Sequence, residues 1–192
     1  HDRLAFNEFF LFLLQMQQLK EQKQRVINQC KMDVQDPVIA KIKRALPYEL
    51  TGAQQRSLTE ILDNLKGTYS MQRLLQGDVG SGKTIVAFAA MAVAAENGYQ
   101  SAIMAPTEVL ARQHYENFLA WCEEFGFTYP VILLTGSMTA KEKQLAYEKI
   151  AETKSALIIG THALIQEKVA YQSLGLVITD EQHRFGVRQR EV

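Results

Sequence analysis

Eight residues, "GDVGSGKT" at 77–84, constrain this chain more than any other stretch. They fit the pattern Gly-x-x-x-x-Gly-Lys-Ser/Thr, in which only Gly77, Gly82, Lys83 and Thr84 are fixed. At average composition a chance match in a chain this long has a probability of roughly 1%. Context cuts the odds further. The apolar run "MQRLLQ" (71–76) precedes the loop and reads as a strand, and an Ala-rich helical stretch follows it. Each residue type has a physical reason. Gly77, Gly80 and Gly82 let the backbone N–H groups of the loop, those of Asp78, Val79 and Ser81 included, close around phosphate oxygens. The helix N-terminus adds partial positive charge. Lys83 can set its ammonium between β- and γ-phosphates, and Thr84 offers a hydroxyl to Mg²⁺. The loop thus predicts ATP with Mg²⁺; the bland alternative is a Gly-rich turn that merely caps a helix.

A phosphate loop needs a sheet to stand on, and the residues downstream supply one. Short apolar runs "QSAIMAP", "PVILLTG", "SALIIGT" and "GLVITDE" alternate with the helical stretches "EVLARQHYENFLAWCEEFG" and "TAKEKQLAYEKIAE". Strands alternating with helices imply crossover units and a parallel sheet. The strands are continuous apolar runs, so both faces should be covered by helices. The predicted class is α/β, a parallel sheet flanked by helices on both faces, with an N-terminal helical appendage.

That appendage reads as one long helical pattern over 1–31, a short helix over 36–46 with Pro37 in its first turn, and Pro47 as its stop. A further helix, "LTGAQQRSLTEILDNLKG", puts Leu58, Ile61, Leu62 and Leu65 on one face and ends at Gly67. The boundary falls near 45–50: residues 1–46 as appendage, 47–192 as the α/β domain. The greasiest stretch, residues 4–19, has an unbroken apolar core only from Phe9 to Leu14, short of the ~20 residues a span needs. It lacks the flanks of a signal peptide, so a docking helix fits better than a membrane segment.

With 192 residues, 47% of them apolar, the chain can bury a real core. Lys plus Arg is 21 and Asp plus Glu is 21, a balance that neither supports nor excludes nucleic acid. The two cysteines, Cys30 and Cys122, lack metal spacing and read as thiols of a reducing, cytoplasmic compartment.

Two adjacent acids, Asp180 and Glu181, stand at the tip of the last apolar run. In open parallel sheets, ligands sit at the carboxyl ends of strands. Asp180 there can hold Mg²⁺, and Glu181 can take a proton from the water that attacks the γ-phosphate. A solvated turn after a strand is the alternative when the acids are taken alone.

The acids continue as "DEQH", and this motif resembles superfamily 2 helicases of the DExH type. More narrowly, "GDVGSGKT", "APTEVLARQH", "LTGS", "GTHALIQ" and "DEQHRFGVRQR" together resemble the RecG family of ATP-dependent DNA helicases, over about residues 45–192 in the same order. The transcription-repair coupling translocases of the Mfd family are similar around the loop but usually lack the His, so His183 favours RecG. A P-loop NTPase unrelated to DNA is the more distant alternative. The resemblance implies a RecA-like motor lobe and assigns roles. Gln54 in "LTGAQ" would read adenine, although Thr51 and Gln54 equally form a T-x-x-Q capping box. Pro106, Thr107 and Glu108, with Arg112 and Gln113, match a loop that touches the nucleic-acid backbone; Thr107 could as simply cap its helix. Thr135 with Gly136, and Thr161 with His162, repeat the strand-end hydroxyl theme and would extend a track for one strand. His183 would couple the nucleotide site to that track, or serve structure alone. Arg184, Arg188 and Arg190 stay open between DNA and a missing half of the motor.

The resemblance also predicts what would surround such a lobe. Family motors need two lobes with ATP between them, and a wedge domain that grips branched double-stranded DNA at forks and four-way junctions. The second lobe supplies an arginine that contributes about 10³–10⁵ in rate. A chain beginning at His1 and ending at Val192 is therefore expected to be a first lobe only, one that binds nucleotide weakly, hydrolyses it very slowly and unwinds nothing. DNA repair and recombination would be the setting, with no membrane involved.

Overall fold

The computed structural model describes residues 26–34, 37–78 and 80–180. The expected helix over residues 1–25, Val79, Glu181, His183, Arg184, Arg188 and Arg190 lie outside the described residues.

Among the described residues, four parallel strands form the sheet: β1 (Gln100–Met104), β2 (Val131–Leu134), β3 (Ala156–Gly160) and β4 (Leu174–Thr179), in the order β2-β3-β1-β4. Helices α1 (Pro37–Ala45), α2 (Gly52–Lys66), α3 (Lys83–Glu96), α4 (Glu108–Glu124) and α5 (Ala140–Glu152) complete the fold, with a short 3₁₀ turn at His162–Ile165. Sheet residues divide by parity. Ile103, Leu157 and Ile159 face a core shared with α3 and α4, while Ala102, Met104 and Ile158 face one shared with α5. Both faces are thus apolar, as continuous runs require.

Helix α3 explains its own composition. Ten of its residues are buried, from Ile85 to Ala95, because the helix lies between the sheet on one side and α1 and α2 on the other. Small alanines let those layers approach closely. Phe88, fully buried, joins α3 to α4 through ring contacts with Phe118 at 5.1 Å and Trp121 at 5.2 Å. Aromatic pairs at such spacing add roughly 0.5–1.5 kcal/mol each beyond their buried area.

Three sequence expectations need correction. "MQRLLQ" (71–76) is not a strand of the sheet. Leu74 is 73% exposed, and Arg73 instead pairs with Glu60 and donates to Asn64, both on α2. Side-chain anchoring to that helix has replaced a backbone ladder. The helical pattern also does not reach residue 31: residues 26–34 run as a non-helical strap. Asn28 holds the strap, donating from Nδ2 to the carbonyls of Leu65 and Gly67 at 3.1 Å each, and Ile27 bridges antiparallel to Tyr69. The backbone N–H groups of Asn28 and Met32, which a local helix would have used, donate instead to the carbonyls of Thr68 and Leu65 at 2.9 and 3.3 Å. Finally, β4 is not covered on both faces: Leu176 is buried, but Val177 is 60% exposed.

The short helices behave as expected. Pro37 opens α1, and Val38, Ile39 and Ile42 bury into the core they share with α3. Leu58, Ile61 and Leu65 form the buried face of α2, and Gly67 caps its end.

Candidate functional site

The phosphate loop owes its shape to two left-handed glycines. Gly80 has φ 80° and Gly82 φ 76°, a region side chains rarely enter. Gly82 is also the N-cap of α3, so the helix opens directly out of the turn and aims its first N–H groups into the loop. A Cβ on Gly77 would meet Ser81 Oγ at 2.8 Å, and one on Gly82 would run into Gln54 Nε2. The glycine pattern is therefore a packing requirement here. Lys83 turns its ammonium back over the loop, donating to the carbonyls of Gly77 at 2.7 Å and Asp78 at 2.8 Å. Those bonds hold the cation at the mouth of the loop, where a phosphate oxygen would compete for it.

Gln54 fills both ends of its amide. Its Oε1 accepts from the Thr51 N–H at 2.8 Å while the Gln54 backbone N–H donates to Thr51 Oγ1 at 3.2 Å, which makes the capping box. Its Nε2 donates to the Ser81 carbonyl at 2.8 Å. The cap thereby ties the start of α2 to the phosphate loop.

The nucleic-acid candidates occupy the carboxyl edge of the sheet. Thr107 follows β1, Thr135 follows β2 and Thr161 follows β3, so the three loops are neighbours along one edge. Thr107 is exposed and caps α4, accepting from the Leu110 N–H at 3.3 Å. Arg112 and Gln113 lie exposed on the same helix. Thr135 and Thr161 are buried, whereas Gly136 and His162 beside them are exposed. A strand lying on those two loops would meet their exposed neighbours first. Sequence reasoning put Glu108 in the nucleic-acid loop but did not foresee that it joins two of the loops: its Oε1 accepts from the Ser137 N–H at 2.7 Å. The Ser137 hydroxyl does most to hold the Glu108 carboxyl below the usual range, with the Ser137 N–H, Arg112 and Lys143 adding smaller attractions. Lys143 in turn donates to the Gly136 carbonyl at 2.6 Å.

Asp180 extends the β1–β4 ladder by one rung, its N–H donating to the Met104 carbonyl at 2.9 Å. Its carboxylate meets His114 Nε2 at 2.8 Å, a contact that spacing alone did not reveal. Mg²⁺ is usually held by one or two carboxylates together with substrate phosphates. The Asp180 side chain, 31% exposed, and the partly exposed Thr84 on the first turn of α3 are donors of that kind. No group of three His, Cys, Asp or Glu gathers for a metal among the described residues. Among those same residues, no helix is long and apolar enough to cross a membrane.

A parallel sheet with a phosphate loop at one carboxyl edge and an acid at a strand end defines a P-loop nucleotide-binding lobe. The DEAD/DEAH box helicase family matches residues 51–192, and the chain belongs to that family. RecG helicases are among its relatives within it. The ATP-dependent DNA helicase RecG of Aquifex aeolicus is 45% identical over 196 residues, covering 100% of this chain and 24% of that protein. RecG of Streptococcus pneumoniae is 47% identical over 190 residues, covering 99% of this chain and 28% of its own length. A structure of RecG bound to a three-way DNA junction superposes with TM-score 0.81 at 40% identity, covering 96% of this chain and 25% of that one. The UvsW helicase of bacteriophage T4, at 18% identity and TM-score 0.53, shares the fold. This chain spans about a quarter of the length of the RecG proteins it matches.

Proposed function

We propose that this chain is the first motor lobe of a RecG-type helicase, which couples ATP hydrolysis to branch migration and the remodelling of stalled forks and four-way junctions. The observation that carries the reading is that a sequence with both the phosphate loop and DEQH folds as a lobe that superposes on junction-bound RecG at TM-score 0.81. The relatives at 45–47% identity favour this over a transcription-repair translocase.

In this reading Lys83 and the loop N–H groups bind the β- and γ-phosphates of ATP. Thr84 and Asp180 hold Mg²⁺, which supplies neutralising charge to the phosphates when bound. Glu181 accepts the proton of the attacking water, and His183 links that site to the nucleic-acid edge. Gln54 would read adenine with the second N–H and second lone pair that its amide keeps free of the two internal bonds, so the cap that positions the loop and base recognition are compatible. Thr107, Arg112, Gln113, Gly136 and His162, with the backbone at Thr135 and Thr161, track one DNA strand by its phosphates. A second motor lobe and a wedge domain complete the machine, which works in the cytoplasm on branched double-stranded DNA.

The test is the ATPase rate of the chain extended through a second lobe, with and without forked DNA. DNA stimulation is expected, and Glu181→Gln should lower the stimulated rate by about 10²–10⁴-fold while nucleotide binding persists. A rate indifferent to DNA would remove the helicase reading and leave a P-loop enzyme with another substrate.

A further inference from the structure

Helix α4 buries one stripe of side chains: Ala111, His114, Phe118 and Cys122. Three of the four are apolar core residues. His114 is the exception, at 7% exposure, its ring 6.2 Å from that of Phe118. Nδ1 is buried and makes no hydrogen bond among the described residues, while Nε2 lies 2.8 Å from Asp180 Oδ2. An imidazole in an apolar stripe with one nitrogen unpaired is a costly choice where leucine or phenylalanine would pack. What such residues would not provide is an N–H donor aimed at Asp180. A carboxylate only accepts, so Nε2 carries the proton of this bond.

We propose that His114 is a positioning residue: it fixes the rotation of the Asp180 carboxylate and so presents that side chain to Mg²⁺. The inference rests on the reading of Asp180 as a metal ligand. The geometry also makes α4 a rigid connection between two sites. Thr107 stands at its N-cap facing the nucleic-acid edge, and two turns further along His114 grips the acid at the end of the neighbouring strand. Groups that orient a metal ligand commonly affect metal affinity as strongly as a weak ligand does.

The experiment measures the affinity of the chain for a fluorescent ADP in Mg²⁺ and in EDTA, and takes the ratio as the Mg²⁺-linked gain. His114→Phe keeps the packing against Phe118 and removes the donor; its gain should fall by about tenfold while affinity in EDTA and thermal stability hold. His114→Leu carries the same reading if the Phe variant fails to fold. His114→Gln, whose amide N–H reaches about as far as Nε2, should restore the gain to within about twofold. Asp180→Asn serves as the reference for complete loss. If Asp180→Asn keeps the gain, or the parent chain shows none, the metal-ligand reading fails and this inference with it. If Asp180→Asn loses the gain while His114→Phe keeps it, the positioning role alone is overturned.

Discussion

Single residues carry much of the precision of this fold, and Gln100 is the clearest case. It is fully buried at the start of β1, yet every polar atom of its amide is used. Nε2 donates to the carbonyls of Ile150 at 2.6 Å and Thr153 at 2.8 Å, and Oε1 accepts from the Ser173 N–H at 3.0 Å. It therefore clamps the end of α5 and the entry to β4 onto the central strand. Gln100→Met should cost about 2–4 kcal/mol, since it strands three backbone groups, and urea unfolding would measure it. Nothing in the sequence marks Gln100, which sits at the edge of an apolar run and looks like a strand boundary. Thr51 and Gln54 were legible because a capping box is a local pattern; the bond from Gln54 to Ser81 was not, because it spans 27 positions. Burial also sets the chemistry of Cys122, whose thiol is pushed up to about 11. At pH 8 about one molecule in a thousand carries the thiolate, so alkylation of native protein should spare Cys122 until denaturant is added.

Elements show where local pattern succeeds and where it stops. Helices α2 to α5 and strands β1 to β4 announce themselves by periodicity and by their stops. The run at 71–76 reads as a strand with equal clarity, but a ladder needs a neighbour, and no short stretch states its neighbour. Arg73 decided the matter by finding partners on α2. The loops at the carboxyl edge depend on one such unforeseen link, between Glu108 and Ser137. Because the Glu108 carboxyl titrates below its ordinary value of 4.5, the ionised form is the one the fold favours. The link should be complete above that value and lost as pH falls through the lower, folded-state value. The Ser137 amide resonance, followed by NMR, should titrate below pH 4.5 and lose that dependence in Glu108→Gln. At neutral pH, Glu108→Ala should weaken DNA binding of a two-lobed chain while leaving nucleotide affinity unchanged.

At the scale of the whole molecule, the order of elements and the class of fold could be read in advance. The relation of the first segment to the rest could not, since it rests on contacts distant in sequence. Residues 1–46 read as an appendage, but α1 packs Val38, Ile39 and Ile42 into the same core as α3, and Asn97 at the end of α3 exchanges two hydrogen bonds with the Asp33 backbone. A chain begun at residue 47 should lose about 5 kcal/mol or more from those three side chains alone. Thermal denaturation of the two versions would show it, and equal melting temperatures would support a boundary at residue 46.

The seam between α3 and α4 contains the chain's single tryptophan. Trp121 stands edge-on to Phe88 of the helix that opens at the phosphate loop, and stacks on Phe118 of the helix that Thr107 caps. Indole emission reports the polarity and packing around it, with no second tryptophan to blur the signal. Evolution has in effect left an optical gauge at the joint between the two candidate sites. Any shift of one helix against the other on adding nucleotide or DNA would register as a change in colour or intensity, without a dye being attached.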